Sequence, residues 1–208
     1  MSLVWRLLEN TPVNHDEDEK PYTWTIEESG KNNYTLTFSS IDTNISKLFL
    51  DNASKNMNQA IQIEDSFWIP VLAVPVRDIP FLENWARIET RNGMICWKQT
   101  HTIDKNGKER HGKQTYDINT DKAGFIKAFK QRLIRRAKLF LGQTYTEDDI
   151  QVKFLQRTNY GYVEYKGLKT PYQNITCKLI APKPIIELAV YAGVGTKTGS
   201  GFGMVLAA

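Results

Sequence analysis

The sequence holds three histidines, the side chains best suited to trading a proton near neutral pH, and their neighbourhoods differ. His101 ends an apolar-rich segment just before a basic excursion, and His111 lies on the return arm of that excursion beside Arg110 and near Lys113. These two stand where an anion would be drawn, which makes them candidates for a catalytic base and acid, while His15 in an acidic run is the outsider. A second group suits the same guest. Gly193, Gly195, Gly199, Gly201 and Gly203 place five glycines in eleven positions around Lys197, a backbone free to take positive φ and to bring N–H groups close to phosphate. The familiar phosphate motifs do not fit, because no Gly-Lys-Ser/Thr closes the stretch and only five residues follow Gly203, too few for a following helix. A turn entering a last strand is an equal reading of the glycines alone. If the anion were RNA, the chemistry needing least apparatus is attack of a ribose 2′-OH on the adjacent phosphate, which requires a base, an acid and charge stabilisation but no metal or other cofactor.

The elements that carry these residues divide by charge. Residues 1–30 hold two basic and seven acidic side chains, whereas residues 95–142 hold twelve basic and four acidic, so a polyanion would be drawn to the middle of the chain. Lys127, Lys130, Arg135 and Lys138 belong to that basic stretch. Solvation of a helix and a hairpin is the plainer account of such a run. A hydrophobic content of 41% with 24% charged residues is that of a globular chain, and no stretch of about 18 apolar residues points to a membrane partner. The opening segment shows no basic leader, and Cys96 and Cys177 are too few for a disulfide framework or a zinc site, so a reducing cytoplasm is the expected setting.

In order, alternation of Leu3, Trp5 and Leu7 suggests an opening strand. A hairpin over 22–28 and 34–40, a helix from Asp42 to about Ala53, and extended pieces through 61–63 and 67–76 complete residues 1–82. From residue 83, strands over 86–91 and 94–100 flank Asn92-Gly93, the strongest hairpin signal, and a second Asn-Gly pair lies at 106–107. The best helix follows, capped by Asp121 or Thr120 and stopped by Gly142, with Phe125, Phe129, Leu133, Ala137 and Phe140 at core spacing. Strands over 150–157, 160–165 and 174–180, a helix opened by Pro184, and a last strand over 202–206 give the second half the ferredoxin-like order β-α-β-β-α-β with a basic hairpin inserted before its first helix. Tyr160, Tyr162 and Tyr165 are read as one face of a strand and could stack bases, although such a stripe is more often core.

The spacing Gly193-x-Gly195, a segment containing Lys197, then Gly201-Phe202-Gly203, preceded by Leu188-Ala-Val-Tyr-Ala192, resembles the C-terminal glycine-rich loop of the CRISPR-associated endoribonucleases that process repeat RNA, within the repeat-associated mysterious protein superfamily. Weaker similarity covers Lys20-Pro-Tyr-Thr-Trp24, the hairpin through Ser40 and Gly161-Tyr-Val-Glu-Tyr165. The resemblance implies an α+β fold of tandem ferredoxin-like (RRM-like) halves. Residues 1–82 would form a degenerate first half lacking its first helix, and residues 83–208 the second half with the basic hairpin and glycine loop. It implies a metal-independent endoribonuclease that leaves a 2′,3′-cyclic phosphate, acting on a CRISPR repeat stem-loop. Lys197 and the loop glycines would hold phosphate, and Lys127, Lys130, Arg135, Lys138, Arg110 and Lys113 would grip the stem. Many such enzymes carry the catalytic His in or near the first helix of the first half, which this chain lacks, so none is carried over by position. A non-catalytic guide-RNA-binding subunit of a CRISPR complex is the alternative, with other CRISPR-associated proteins or a chain completing the first half as partners. A ferredoxin-like protein unconnected with RNA is the third reading.

Overall fold

The computed structural model describes residues 4, 7–8, 19–63, 66–68, 83–103, 105–156, 159–165 and 168–207. Its largest sheet joins β5 (Trp85–Thr90), β8 (Gln151–Phe154), β11 (Thr176–Ile180) and β12 (Val205–Ala207) in the spatial order β12-β5-β11-β8, with every neighbour antiparallel. Counted within this half, the order is fourth, first, third, second strand, the ferredoxin-like arrangement. Two hairpins are inserted into it: β6 (Trp97–Ile103) with β7 (Glu109–Thr115), and β9 (Asn159–Tyr165) with β10 (Leu168–Asn174).

One face of the sheet is covered. Along β5, Ala86, Ile88 and Thr90 are buried while Trp85, Arg87 and Glu89 are exposed, the period of a half-covered strand. The cover is α2 (Lys122–Leu141) and α3 (Lys183–Ala192), which follow α1 (Thr43–Lys55) of the first half along the chain. Helix α2 begins where the Asp121 carboxylate accepts from the Gly124 amide at 2.8 Å and ends at Gly142 with φ 67°, so both predicted caps are present. Its buried stripe is Phe125, Phe129, Leu133 and Ala137 as expected, but Arg136 is buried with them.

The first half pairs β1 (Tyr22–Gly30) with β2 (Asn33–Ser40) and β3 (Ile61–Ile63) with β4 (Ser66–Trp68). The Asp42 carboxylate caps α1 by accepting from Asn44 N–H at 2.9 Å. This half has its own core of Val4, Leu7, Leu8, Tyr22, Ile45 and Phe49, with the Phe38 and Phe49 rings stacked at 4.0 Å. The molecule is thus α+β with tandem ferredoxin-like halves, the first degenerate and carrying α1 as its one full helix among the described residues.

Three local expectations are corrected. The opening segment is helical rather than extended: Val4 and Leu7 are in helical conformation, and Leu8 N–H donates to the Val4 carbonyl at 2.9 Å. Val4, Leu7 and Leu8 share the i, i+3, i+4 spacing and all three are buried, so the 3.6 period won over the alternation. Asn92-Gly93 does not turn a hairpin. Strand β5 pairs instead with β11 and β12, the Asn92 carboxamide accepts from Met204 N–H at 3.1 Å, and the Gly93 carbonyl accepts from Gly203 N–H at 2.7 Å. The last strand is also shorter than expected, because Gly203 and Met204 are tied to this corner before β12 starts. The expected extended run through 76 is described only as far as Trp68, and residues 69–82 lie outside the described residues. Among the described residues no helix is long and apolar enough to cross a membrane.

Candidate nucleic-acid interface

The glycine-rich stretch is a tightly folded loop between α3 and β12. Gly193, Gly195, Gly201 and Gly203 all take positive φ, and so does Lys197 at 63°, a conformation uncommon for a residue with a side chain. The glycines are needed for approach as much as for dihedral. A Cβ on Gly203 would lie 1.8 Å from the Val194 carbonyl oxygen, and one on Gly195 would lie 2.4 Å from Met94 Cγ. A Cβ on Gly199 would meet the Lys20 side chain at 2.5 Å, and one on Gly201 would meet the Trp24 ring at 3.0 Å.

Most of the loop's amides are committed to the fold. Val194 N–H donates to Gly203 at 2.7 Å and Thr196 N–H to Ile95 at 2.8 Å, while Ser200, Gly201 and Phe202 donate back to carbonyls of Lys197 and Thr198. Gly193, Gly195 and Gly203 are buried, so what the loop offers outward is its rim: the exposed Lys197 and Ser200, with Gly201 and Phe202 half-buried. Lys197 Nζ sits 5.2 Å from the centre of the Trp97 ring at the root of the basic hairpin, which joins loop and hairpin into one surface.

Beneath the loop lies a charged cluster that sequence reasoning passed over. Arg136 is fully buried, and its guanidinium donates to the carbonyls of Ala192 at 2.6 Å, Gly193 at 2.6 Å and Lys20 at 2.8 Å. Glu19, also buried, approaches Arg132 at 2.8 Å and both Arg135 and Arg136 at 3.7 Å. Burial pushes the Arg136 pKa down to about 10, offset in part by Glu19 and reinforced by Arg132, so the group is a cation at neutral pH. The last carbonyls of α3 are the negative end of its dipole, and Arg136 covers them while holding the first half through Lys20. Further polar bonds bind the halves at this seam. Trp24 Nε1 donates to Gly199 at 3.1 Å, Thr23 Oγ1 to Phe202 at 3.3 Å and Ser39 Oγ to Tyr191 at 2.8 Å.

The other expected contacts separate into groups. Lys127 and Lys138 are exposed on α2, Arg135 is exposed but within reach of Glu19, and Lys130 Nζ donates to the Glu147 carbonyl at 2.8 Å. Residues 101 and 111 are a cross-strand pair in the hairpin register, so the two candidate histidines are neighbours across β6 and β7. His101 is exposed and lies four residues from Trp97, on the same face of β6 by pleat and about 13 Å along it. The side chains of Arg110, His111 and Lys113, and the whole of His15, lie outside the described residues.

On the β9–β10 hairpin Tyr160 and Tyr162 are 39% and 54% exposed, so they are surface and not core, and Lys169 Nζ stands 4.8 Å over the Tyr162 ring. Burial pushes the Tyr160 hydroxyl up to about 12, with Tyr162 and Asp117 adding to the shift. The hairpin's other face anchors it, with Tyr172 packed against Gly93, Gly161 and Phe202.

A ferredoxin-like half with its helices on one face, a degenerate half docked to it, and a glycine-rich loop at their seam make this a tandem ferredoxin-like α+β protein. More narrowly, residues 94–206, just over half of the chain, match the model of the C-terminal region of CRISPR associated protein Cas6, and the chain belongs to that family. Among solved structures it is similar to a Cas6-related protein from Pyrococcus furiosus, with a TM-score of 0.71 and 16% identity over 93% of this chain and 80% of that one. It is similar also to a repeat-associated mysterious protein described as binding different RNA substrates, with a TM-score of 0.70 and 16% identity over 93% and 81%. A Cas6 product complex aligns with a TM-score of 0.63 and 15% identity over 93% and 84%. No curated protein matches the chain.

Proposed function

We propose that this protein matures CRISPR RNA by gripping repeat RNA and cutting it through 2′-OH attack on the adjacent phosphate. The observation that carries the reading is the family match, because residues 94–206 take in the basic hairpin, the charged face of α2 and the glycine-rich loop together. Solved relatives include one described as binding RNA and one described as a product complex. Lys197, on the exposed rim of the loop beside Trp97, is the group that meets phosphate, and the buried glycines and Arg136 hold it there. Lys127 and Lys138 of α2, with Arg110 and Lys113 of the hairpin, follow a stem by charge and shape. Residues 83–208 thus hold the RNA and residues 1–82 brace the loop.

The chemistry falls to the histidine pair. One imidazole takes the proton of the 2′-OH as its oxygen bonds to phosphorus, and the other protonates the departing 5′-oxygen, leaving a 2′,3′-cyclic phosphate and a 5′-hydroxyl. The pairing of residues 101 and 111 supports this assignment, since two proton carriers on adjacent strands can serve the two sides of one phosphate. The second reading, a guide-RNA-holding subunit that works with other CRISPR-associated proteins and does not cut, shares every basic residue with the first and differs from it only at the histidines, none of which the resemblance carries over by position as a catalytic residue.

Incubation with repeat RNA in excess EDTA distinguishes them. The nuclease reading expects one cut bearing a cyclic phosphate, lost in His101→Ala or His111→Ala with RNA affinity retained. Binding without cutting, with or without magnesium, would establish the holding subunit instead.

A further inference from the structure

The dipeptide Asn-Gly occurs twice in the chain, and the fold treats the two copies in opposite ways. Asparagine before glycine carries a latent reaction, because the glycine amide nitrogen can attack the asparagine side-chain carbonyl carbon. Glycine, having no Cβ, is the neighbour that hinders this approach least. In a folded protein the reaction needs a carboxamide free to turn toward that nitrogen and room for a five-membered ring.

At Asn92-Gly93 neither condition is met. The Asn92 carboxamide is held at both ends, its Nδ2 donating to the Trp24 carbonyl and its Oδ1 accepting from Met204 N–H, each at 3.1 Å. Gly93 is buried, and a Cβ built on it would lie 2.3 Å from the Tyr172 ring. At Asn106-Gly107 the setting is reversed. The pair lies in the tip that joins β6 to β7, residues 105–109 are all exposed, and a Cβ on Gly107 would meet nothing within 4 Å. Lys105 and Lys108 flank the pair, and positive charge nearby favours loss of the proton that the glycine amide gives up to become a nucleophile.

We propose that Asn106 is a site of spontaneous deamidation whose product weakens the basic hairpin's hold on RNA. The Gly107 nitrogen bonds to Asn106 Cγ as the Cγ–Nδ2 bond breaks and ammonia leaves, giving a succinimide. Water then opens either carbonyl of that ring and leaves aspartate or isoaspartate. The step needs no oxidant, metal or second protein. A neutral side chain becomes a carboxylate between two lysines, which offsets about one positive charge of the hairpin. The effect on affinity rests on the RNA-binding function proposed above, whereas the modification itself does not.

The test ages the whole folded protein at mildly alkaline and at mildly acidic pH and follows its chymotryptic peptides by mass spectrometry. Trp97 separates the peptide carrying Asn92 from the one carrying Asn106. The Asn106 peptide should gain the mass difference between amide and acid, faster at the higher pH, and should become a substrate for isoaspartate methyltransferase. Asn92 should react about tenfold or more slowly, because two hydrogen bonds must break first. In urea the two sites should react at similar rates. In fluorescence anisotropy the aged wild type should bind a repeat stem-loop about threefold more weakly, with a salt slope shallower by about one. Freshly made Asn106→Asp should reproduce that loss, aged Asn106→Gln should keep full affinity, and all should melt at the wild-type temperature, since the tip is exposed. An Asn106 peptide that keeps its mass in the folded protein while changing in urea, or an Asn92 peptide that reacts as fast in the fold, would overturn the proposal. So would wild-type affinity of Asn106→Asp, which, with Lys197→Ala weakening the same RNA, would leave the glycine-loop reading intact. Fresh wild type that binds no repeat RNA would overturn that reading and the claimed effect on affinity, while the mass change would still decide the site.

Discussion

Arg136 shows what a single buried charge does in this fold. Its guanidinium reaches three carbonyls, two at the end of α3 and one at Lys20, so its replacement strands three acceptors at once and leaves Glu19 to Arg132 and Arg135. Arg136→Met should therefore destabilise the protein by about 3–5 kcal/mol in equilibrium urea unfolding, and Arg136→Lys should fail to restore it because an ammonium cannot span the fork. The residue was within reach of the sequence. It follows Phe125, Phe129 and Leu133 at the next position of the buried stripe, but a run of arginines reads as a solvated face unless helical phase is followed residue by residue. Its acceptors are backbone carbonyls far along the chain, and no sequence pattern marks those. The cysteines are simpler. Burial pushes the Cys96 and Cys177 thiols up to about 12 from 9.0, so the unfolded chain releases these protons first as pH rises. The folded state then binds more protons than the unfolded one, and stability falls with rising pH. Melting temperature should be insensitive to the thiols below pH 9 and decline between pH 9 and 10. Neither thiol should react with iodoacetamide until denaturant is added.

At the level of elements, the glycine loop and the Asn92-Gly93 corner form one object. Gly203 donates to Gly93, Met204 to Asn92, and the Asn92 carboxamide donates to Trp24 at 3.1 Å, so a dipeptide that reads as a hairpin turn serves instead as a socket for a loop 110 residues later. Turn chemistry is local and was legible, as the left-handed Gly107 at the tip of the basic hairpin and Gly142 at the end of α2 show. Pairing is not local. The choice between Met94–Thr100 and β11 as the partner of β5 is made by a sheet that closes only when residues 176–180 arrive, and a hairpin signal carries no information about that competitor. The glycines follow the same logic. Gly203→Ala adds a side chain at φ 73° and within van der Waals distance of the Val194 backbone, so it should destabilise by several kcal/mol, a mechanism of strain plus overlap. Lys197→Ala, at an exposed position of the same loop and keeping the Cβ that strains it, should leave the melting temperature nearly unchanged while weakening RNA binding about tenfold. Reversal of that pattern, with Lys197→Ala unstable and binding intact, would make the loop a structural device alone.

At the scale of the molecule, two cores meet at a polar seam, beside which Ile41 of the first half packs against the larger core. The first-half cluster around Tyr22 and Phe49 and the larger cluster beneath the sheet meet through Trp24 to Gly199, Thr23 to Phe202, Ser39 to Tyr191 and Arg136 to Lys20. The order of the elements was legible because apolar periodicity is a property of each segment, and the second half followed it nearly throughout. The seam was not, because its donors are ordinary Thr, Trp and Ser residues on strands and its acceptors are backbone carbonyls. The consequence is dynamic. Polar bonds at a part-exposed seam open more readily than a packed core, so the first half should exchange its amides by opening at the seam before the sheet unfolds. Trp24→Phe removes the indole donor to Gly199 and keeps most of the packing. In native-state hydrogen exchange it should speed the amides of β1 and of Val194 and Gly203 together, while amides of β11 continue to exchange at the rate of global unfolding. Because Gly201 rests on the same indole, that variant should also bind repeat RNA more weakly by a few fold at a temperature where the protein is fully folded. Faster exchange in β1 alone, with the loop amides and RNA affinity unmoved, would show that the first half is only an appendage and does not brace the loop.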